Sequence, residues 1–182
     1  MITKNYRKQI KPYLDDLAKK RLAPGGGSAG ALAFCLGCSL IAKSINHTKN
    51  KEMPKVKERK LTNRLDKILN LKKKVYPYID RDGRLFSQMI KSGGQERQRY
   101  LKEMTCLLKD LAQSSDTVIS LAKELDFDIK KSIKSDFYLG LQFIRVSLES
   151  VIFNLEANSN QKKGKDKYLQ NLKNVSKKIK IR

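Results

Sequence analysis

The fold is decided by the stretch Pro24-Gly25-Gly26-Gly27-Ser28-Ala29-Gly30-Ala31-Leu32, in which three consecutive glycines lead into a run without charge. Three adjacent glycines are not expected inside a helix, so they predict a loop that other groups can approach closely. The residues that follow, up to Ala42, are nearly all apolar or small, which predicts a buried helix starting at Ser28. The Ser28 hydroxyl is then expected to cap this helix. A glycine loop at a helix N-terminus is also a favourable place for an anion.

Outward from this stretch, apolar residues recur at intervals of three and four, which predicts helices and no strands. The stripes run through Tyr6–Lys20, Leu61–Ile90, Leu101–Leu125 and Ile133–Leu155, and Pro77 and Gly83 are expected to bend or divide the second. The pattern predicts an all-α bundle around a buried central helix. We expect residues 1–160 to form this bundle. The basic tail, residues 161–182, is expected to form a helix packed on the same domain.

The formal net charge of the chain is +22, from 40 Lys and Arg against 18 Asp and Glu. Such a charge predicts attraction to polyanions: nucleic acid, an acidic membrane or a polyanionic ligand. The alternative is that lysine simply fills the surface, because the lysines are spread over several segments. The charge alone does not decide between the two interpretations.

Metal, redox and membrane functions are not indicated by the sequence. Cys35 and Cys38 form a CxxC inside the apolar run with no second pair, and His47 is the only histidine, so we expect buried thiols and no metal site. The apolar run of about 14 residues is shorter than the roughly 20 that a transmembrane helix needs. We therefore expect no membrane partner and a cytoplasmic, reducing location.

Asp82 breaks the apolar stripe of Val75, Ile79 and Phe86. A carboxylate at such a position costs several kcal/mol unless it is paired, or its pKa shifts. Three interpretations stay open: Asp82 pairs with an arginine or lysine, it is a site residue, or it escapes burial because the helix breaks at Gly83.

Asp136 is a second acid of interest, in the sequence Lys134-Ser135-Asp136-Phe137. It is either a first-turn acid, which the helix dipole favours, or a site residue. Asp136 and Asn154 share one helical face but lie about 27 Å apart along an ideal helix. One compact pocket in a single chain cannot contain both.

The glycine stretch resembles the PGGGS-xx-AL signature of the cyclodeaminase/cyclohydrolase family. This family comprises methenyltetrahydrofolate cyclohydrolases of the serine-cycle type and the deaminase half of formiminotransferase-cyclodeaminase. Shorter pieces are similar too, in the same order and over residues 6–158: Asn46-His47-Thr48, Asp82 with Phe86 four residues on, Ser135-Asp136 and Phe153-Asn154-Leu155.

The resemblance implies an antiparallel helical bundle that dimerises, with folate bound in a cleft near the glycine loop and the subunit interface. It implies a tetrahydrofolate derivative as substrate, with no metal and no other cofactor. The reaction is then either hydrolysis of 5,10-methenyltetrahydrofolate to 10-formyltetrahydrofolate or deamination of 5-formiminotetrahydrofolate.

On this interpretation Asp82 and Asp136 are the catalytic acids. The substrate-binding residues are Gly25, Gly26, Gly27, Ser28, Thr48 and Lys49. Either Lys49 or Lys51 is then expected to meet the polyglutamate tail that folates carry in cells. Two alternatives remain: a non-enzymatic helical protein that binds a polyanion, and a folate-binding pseudoenzyme. Nucleic acid is not the favoured polyanion, because no basic and aromatic residues interleave as they do in single-strand binding proteins.

Overall fold

The computed structural model describes residues 5–158 and 167–177, and its regular structure over these ranges is entirely helical. The helices are α1 (Tyr6–Leu17), α2 (Gly26–Thr48), α3 (Lys55–Val75), α4 (Tyr78–Lys91), α5 (Gly94–Lys123), a 3-10 turn (Lys131–Ile133), α6 (Lys134–Asn158) and α7 (Lys167–Lys177). The predicted all-α class is therefore confirmed.

Helix α2 is the centre of the bundle. It packs most extensively on α6 and also contacts α3, α4 and α5. Its side chains Phe34, Ile41 and Ile45 are completely buried. Helix α2 is long and apolar enough to cross a membrane, with a mean hydropathy of 1.6 over an 18-residue stretch, but 67% of that stretch is buried inside the bundle. The apolar run therefore forms the core of the bundle.

Helices α2 and α6 are antiparallel and touch backbone to backbone. A Cβ on Gly37 would lie 2.7 Å from the Gly140 carbonyl oxygen, and a Cβ on Gly140 would lie 2.8 Å from Ile41 Cγ1. Both distances are well inside van der Waals contact, so larger residues would force the helices apart. The small residues that the sequence concentrates in α2 are thus explained by this close approach.

The start of α2 differs from the prediction. The helix begins at Gly26 after the extended residue Gly25, which makes no side-chain cap, so the prediction that Ser28 is the N-cap is wrong. Gly26 and Gly27 lie in the first turn, where Asn154 and Asp82 occupy the space that side chains would fill. Tertiary contacts thus override the poor helix propensity of glycine.

Two other helices also have bounds that differ from the sequence pattern. The stripe Leu61–Ile90 is divided at Pro77 into α3 and α4, whereas Gly83 lies inside α4 and does not break it. Helix α1 ends at Leu17 and contains Pro12 in its interior. The absent proline N–H is tolerated on this exposed helix, which has no buried residue.

Helix α7 lies against α6. Leu172 is buried, Lys173 Nζ lies 2.6 Å from Glu156 Oε1, and the Ser176 hydroxyl donates to Glu149 Oε1 over 2.9 Å. The described part of the basic tail therefore packs on the bundle. Residues 161–166 and 178–182 of the predicted tail lie outside the described residues.

Candidate active site

Asp82 lies directly beneath the glycine loop. Its Oδ2 accepts a hydrogen bond from the Ser28 backbone N–H over 3.1 Å. A Cβ on Gly27 would lie only 2.2 Å from Asp82 Oδ1. The absence of a side chain at Gly27 is therefore what allows this carboxylate to reach the first turn of α2.

The electrostatic environment of Asp82 is unusual for an acid. Within residues 5–158 and 167–177 no lysine or arginine pairs with it, so the ion-pair interpretation does not apply to the described chain. Burial raises the pKa of Asp82, and the Ser28 N–H bond opposes that rise only in part. Asp82 is a half-buried carboxyl with one oxygen held by the backbone and the other not hydrogen-bonded to any described group.

Two further helices meet the same turn of α2. The completely buried Ser28 hydroxyl is 3.2 Å from the Tyr13 hydroxyl of α1. From α6, Ser150 Oγ donates to the Gly26 carbonyl over 2.7 Å, and Asn154 Nδ2 donates to the Ser150 carbonyl over 2.8 Å. The glycine turn is thus fixed by contacts from α1, α4 and α6.

Tyr13 and Ser150 were missed at the sequence level. The helical face that Asp136 and Asn154 share was a signal that could have located Ser150, which lies one turn before Asn154 on α6. No signal marks Tyr13, since it occupies an ordinary position on the apolar stripe of α1.

The other predicted site residues lie at the opposite end of α2. Asp136 Oδ2, in the first turn of α6, is 2.5 Å from Lys43 Nζ. Gly27 and Lys43 are 16 residues apart on α2, which corresponds to about 24 Å. One chain therefore does not bring Asp82 and Asp136 into the same pocket.

Thr48 and Lys49 are at this far end too, and both are engaged in the fold. The Thr48 hydroxyl donates to the Ser44 carbonyl over 2.8 Å and accepts from the Lys130 N–H over 3.1 Å. Lys49 Nζ donates to Thr62 Oγ1 over 2.8 Å. Their predicted roles in substrate binding stay predictions.

Replacing Thr48 with valine is expected to lower the free energy of unfolding by about 1–3 kcal/mol, because the Lys130 N–H loses its partner. Urea denaturation measures this change. Thr117→Val is the matched control, since the Thr117 hydroxyl is exposed and bonds only to Gln113 of its own helix. Equal stability of the two variants would contradict the structural role of Thr48.

A cavity of about 520 Å³ adjoins the glycine loop between α1 and α4. Its lining includes Tyr13, Pro24, Asp80, Gly83 and Arg84, but not Asp82. The Asp82 side chain is turned the other way, toward the first turn of α2. A molecule that reacts at Asp82 is therefore expected to approach from the side of α6, where Gly26 is exposed.

The described cysteines of the CxxC pair are buried in α2. Burial raises the pKa of Cys35 to about 11 and raises that of Cys38 further, which disfavours the thiolate. Among the described residues there is no group of three or more His, Cys, Asp or Glu that could hold a metal ion. These thiols act as small apolar side chains of the core.

Comparison with known proteins identifies the family. A family model described as formiminotransferase-cyclodeaminase matches residues 9–178. The chain belongs to the formiminotransferase-cyclodeaminase family. This confirms the resemblance that the glycine stretch indicated, and membership of the formiminotransferase-cyclodeaminase family points to an activity in folate chemistry.

The fold is similar to that of a solved member. The crystal structure of formiminotetrahydrofolate cyclodeaminase from Thermotoga maritima matches with a TM-score of 0.77 at 20% identity, covering 93% of this chain and 87% of that one. No curated protein sequence matches the chain. At this identity, the similarity establishes the formiminotransferase-cyclodeaminase fold.

Proposed function

We propose that the protein is a cytoplasmic enzyme that interconverts one-carbon derivatives of tetrahydrofolate. The reaction is hydrolysis of 5,10-methenyltetrahydrofolate to 10-formyltetrahydrofolate, or deamination of 5-formiminotetrahydrofolate. The observation that carries the proposal is Asp82, a half-buried acid without a described counter-ion, held at the glycine turn by the Ser28 N–H. Acids with pKa values shifted by burial are concentrated at catalytic sites.

In the hydrolytic reaction the substrate carries a delocalised positive charge on its N5–C–N10 bridge. An ionised Asp82 beside the bridge stabilises this charge more strongly than water does, because its surroundings are partly desolvated. Water then adds to the bridge carbon and gives one proton to Asp82; the remaining hydroxyl proton passes to N5 as the C–N5 bond breaks and the carbon becomes the formyl group on N10. Ser28 N–H keeps one carboxylate oxygen in place while the other faces the reacting atoms.

In the deamination the same carboxyl acts as an acid. N10 attacks the formimino carbon and its proton passes to the formimino nitrogen, protonated Asp82 gives that nitrogen a second proton, and the C–N bond breaks to release ammonia and leave 5,10-methenyltetrahydrofolate. A raised pKa supports this step, because it increases the protonated fraction of Asp82 near neutral pH. The glycines Gly25 to Gly27 leave room for the flat pterin ring beside the backbone.

A homodimer would unite this site with the residues at the far end of α2. Four half-exposed apolar side chains lie along one side of α2 and α6, with exposed fractions between 44% and 67%: Leu36, Leu139, Val146 and Phe153. We call this surface the α2–α6 face. An apolar surface of this kind on two neighbouring helices suits association with a second copy.

The position of this face fits a shared site. The midpoint between Gly27 and Lys43 on α2 is next to Leu36, and the midpoint between Asp136 and Asn154 on α6 is next to Val146. A two-fold axis through these midpoints, perpendicular to the helices, would bring the partner's Asp136 to the level of the glycine turn along α2. The partner's Lys49 would then be available for the glutamate tail of the folate.

Mixing two inactive variants tests this arrangement. Asp82→Asn and Asp136→Asn are each expected to be nearly inactive alone. After unfolding and refolding together, their heterodimers contain one intact site of two, so the mixture recovers about a quarter of wild-type activity. Asp82→Asn mixed with Asp82→Ala is the control and recovers nothing. Activity that stays at the sum of the separate variants would contradict the shared site.

The folate proposal itself is tested by thermal melting with 5-formyltetrahydrofolate, a stable analogue of the substrates. A ligand that binds only the folded protein stabilises it, by about 2.7 kcal/mol at a ligand concentration of 100 times the Kd, and so raises the melting temperature.

The net charge of +22 supports the alternative of a polyanion-binding protein. That alternative predicts no folate shift and polyanion binding that falls steeply with salt. A folate shift without turnover indicates a pseudoenzyme.

A further inference from the structure

One end of the bundle combines protruding apolar side chains with many lysines. This end, which we call the lysine pole, comprises residues 49–60 and 123–134 around the start of α3 and the connection between α5 and α6. It contains the two most exposed large apolar side chains among the described residues, Phe127 at 87% and Val56 at 84%. Lys57 and Asp128, the chain neighbours of Val56 and Phe127, form an ion pair, which places both exposed side chains at the same end of the bundle. Two large apolar side chains exposed at one end form a candidate contact surface.

The protrusion of Phe127 is held in place by the residues around it. Asp128, the next residue, lies 3.3 Å from Lys57 Nζ and 2.8 Å from Lys60 Nζ of α3. Asp126, the preceding residue, lies 3.3 Å from Lys134 Nζ. Both acids beside Phe127 are therefore neutralised by lysines, and the connection is tied to α3 and α6 on either side of the aromatic ring.

The lysine pole also has cations without partners. Within residues 5–158 and 167–177, the following side chains at the pole make no hydrogen bond or ion pair: Lys51, Lys55, Arg59, Lys123, Lys130 and Lys131. The unpaired acids of the same segments are only Glu52 and Glu58. The pole therefore has an excess of free positive charge around its two apolar tips.

We propose that the lysine pole docks on an anionic phospholipid bilayer, with Phe127 and Val56 entering the boundary between headgroups and acyl chains. Aromatic rings favour this boundary, and unpaired lysines nearby are attracted to anionic headgroups. The long lysine side chains can reach lipid phosphates while the apolar tips are inserted. A bilayer fits better than nucleic acid, because Phe127 protrudes singly and forms no row of aromatic rings for stacking bases.

This proposal departs from the sequence-based expectation of no membrane partner, which concerned a spanning helix. Docking at the surface needs no span. The lysine pole lies at the ends of the helices, whereas the α2–α6 face lies along their sides. The α2–α6 face contains neither Phe127 nor Val56, and of the pole's residues only Lys49, which donates a hydrogen bond to Thr62, also belongs to the proposed enzymatic site.

Co-sedimentation of the full chain with vesicles tests the proposal. Binding is expected to vesicles of phosphatidylcholine with about 30% phosphatidylserine, not to phosphatidylcholine alone, and to weaken with salt. Phe127→Ser is expected to reduce the bound fraction roughly fivefold, and so is the double variant Lys130→Gln with Lys131→Gln. Tyr76→Ser is the matched control: Tyr76 is a 65% exposed aromatic beside lysines at the other end of α3, and its loss is expected to leave binding unchanged.

Each other outcome overturns the proposal. No sedimentation with anionic vesicles excludes the lipid surface. Equal binding by Phe127→Ser and the wild type, together with displacement by a short RNA duplex, assigns the charge to polyanion binding instead. An equal loss of vesicle binding in Tyr76→Ser shows that binding is not specific to the lysine pole. The melting temperature and helical circular dichroism of every variant confirm that it is folded.

Discussion

The substitution Asp82→Asn is expected to lower turnover by about 100-fold, the typical contribution of a general acid or base. Asparagine keeps the shape of the side chain and can still accept the Ser28 N–H, but it can neither take a proton nor balance a cationic substrate. Steady-state kinetics on both folate substrates measure the loss. Asp80→Asn is the control, since Asp80 is an exposed acid of the same helix, and it is expected to leave turnover unchanged.

The same variant has an expected signature in stability. Folding raises the pKa of Asp82 above its ordinary value of 3.8. The protonated carboxyl therefore favours the fold below pH 3.8, and this contribution is lost as the pH rises through the folded pKa. At neutral pH the ionised Asp82 lowers stability, so Asp82→Asn is expected to melt at the wild-type temperature or above, and the gain disappears in acid. A lower melting temperature at neutral pH would indicate a structural role for Asp82.

Gly27→Ala is expected to abolish most activity through geometry alone. The added Cβ would lie 2.2 Å from Asp82 Oδ1, so the carboxylate or the start of α2 must move. Either movement breaks the Ser28 N–H bond to Asp82, and forcing an extra methyl into a packed site typically costs about 1–3 kcal/mol of stability. Kinetics and melting temperature together record both effects.

Gly93→Ala is the matched control for this prediction. Gly93 is at the start of α5, as Gly27 is at the start of α2, and a Cβ added at Gly93 meets no atom within 4 Å. It is expected to change neither turnover nor melting temperature appreciably. Full activity of Gly27→Ala would show that Asp82 does not need its position under the glycine turn.

The fold was largely predictable because it depends on periodicity. A long uncharged run of small and apolar residues, flanked by amphipathic stripes, suits the centre of a helical bundle, and α2 occupies that place. The start of α2 was not predictable, because glycine in a first turn is disfavoured locally. Glycine is required at position 27 because the carboxylate of Asp82, 55 residues further along the chain, fills the space that a side chain would occupy.

The candidate site was predictable only in part, because some of its residues meet only through contacts between helices that are distant in the sequence. Asp82 was visible as an acid in an apolar stripe, which is a local signal. Tyr13 and Ser150 meet the glycine turn from α1 and α6, and no local pattern encodes that meeting. The separation of Asp136 from Asp82 follows from the antiparallel packing of α2 and α6, which spacing along the sequence does not reveal.

The most direct test of the folate chemistry is an assay of the purified wild-type protein on both substrates. Loss of the ultraviolet absorbance of 5,10-methenyltetrahydrofolate reports hydrolysis, and ammonia release from 5-formiminotetrahydrofolate reports deamination. One of the two reactions is expected to run faster with the protein than in buffer, and not with Asp82→Asn. If neither reaction is faster with the wild-type protein than in buffer, the enzymatic assignment is contradicted.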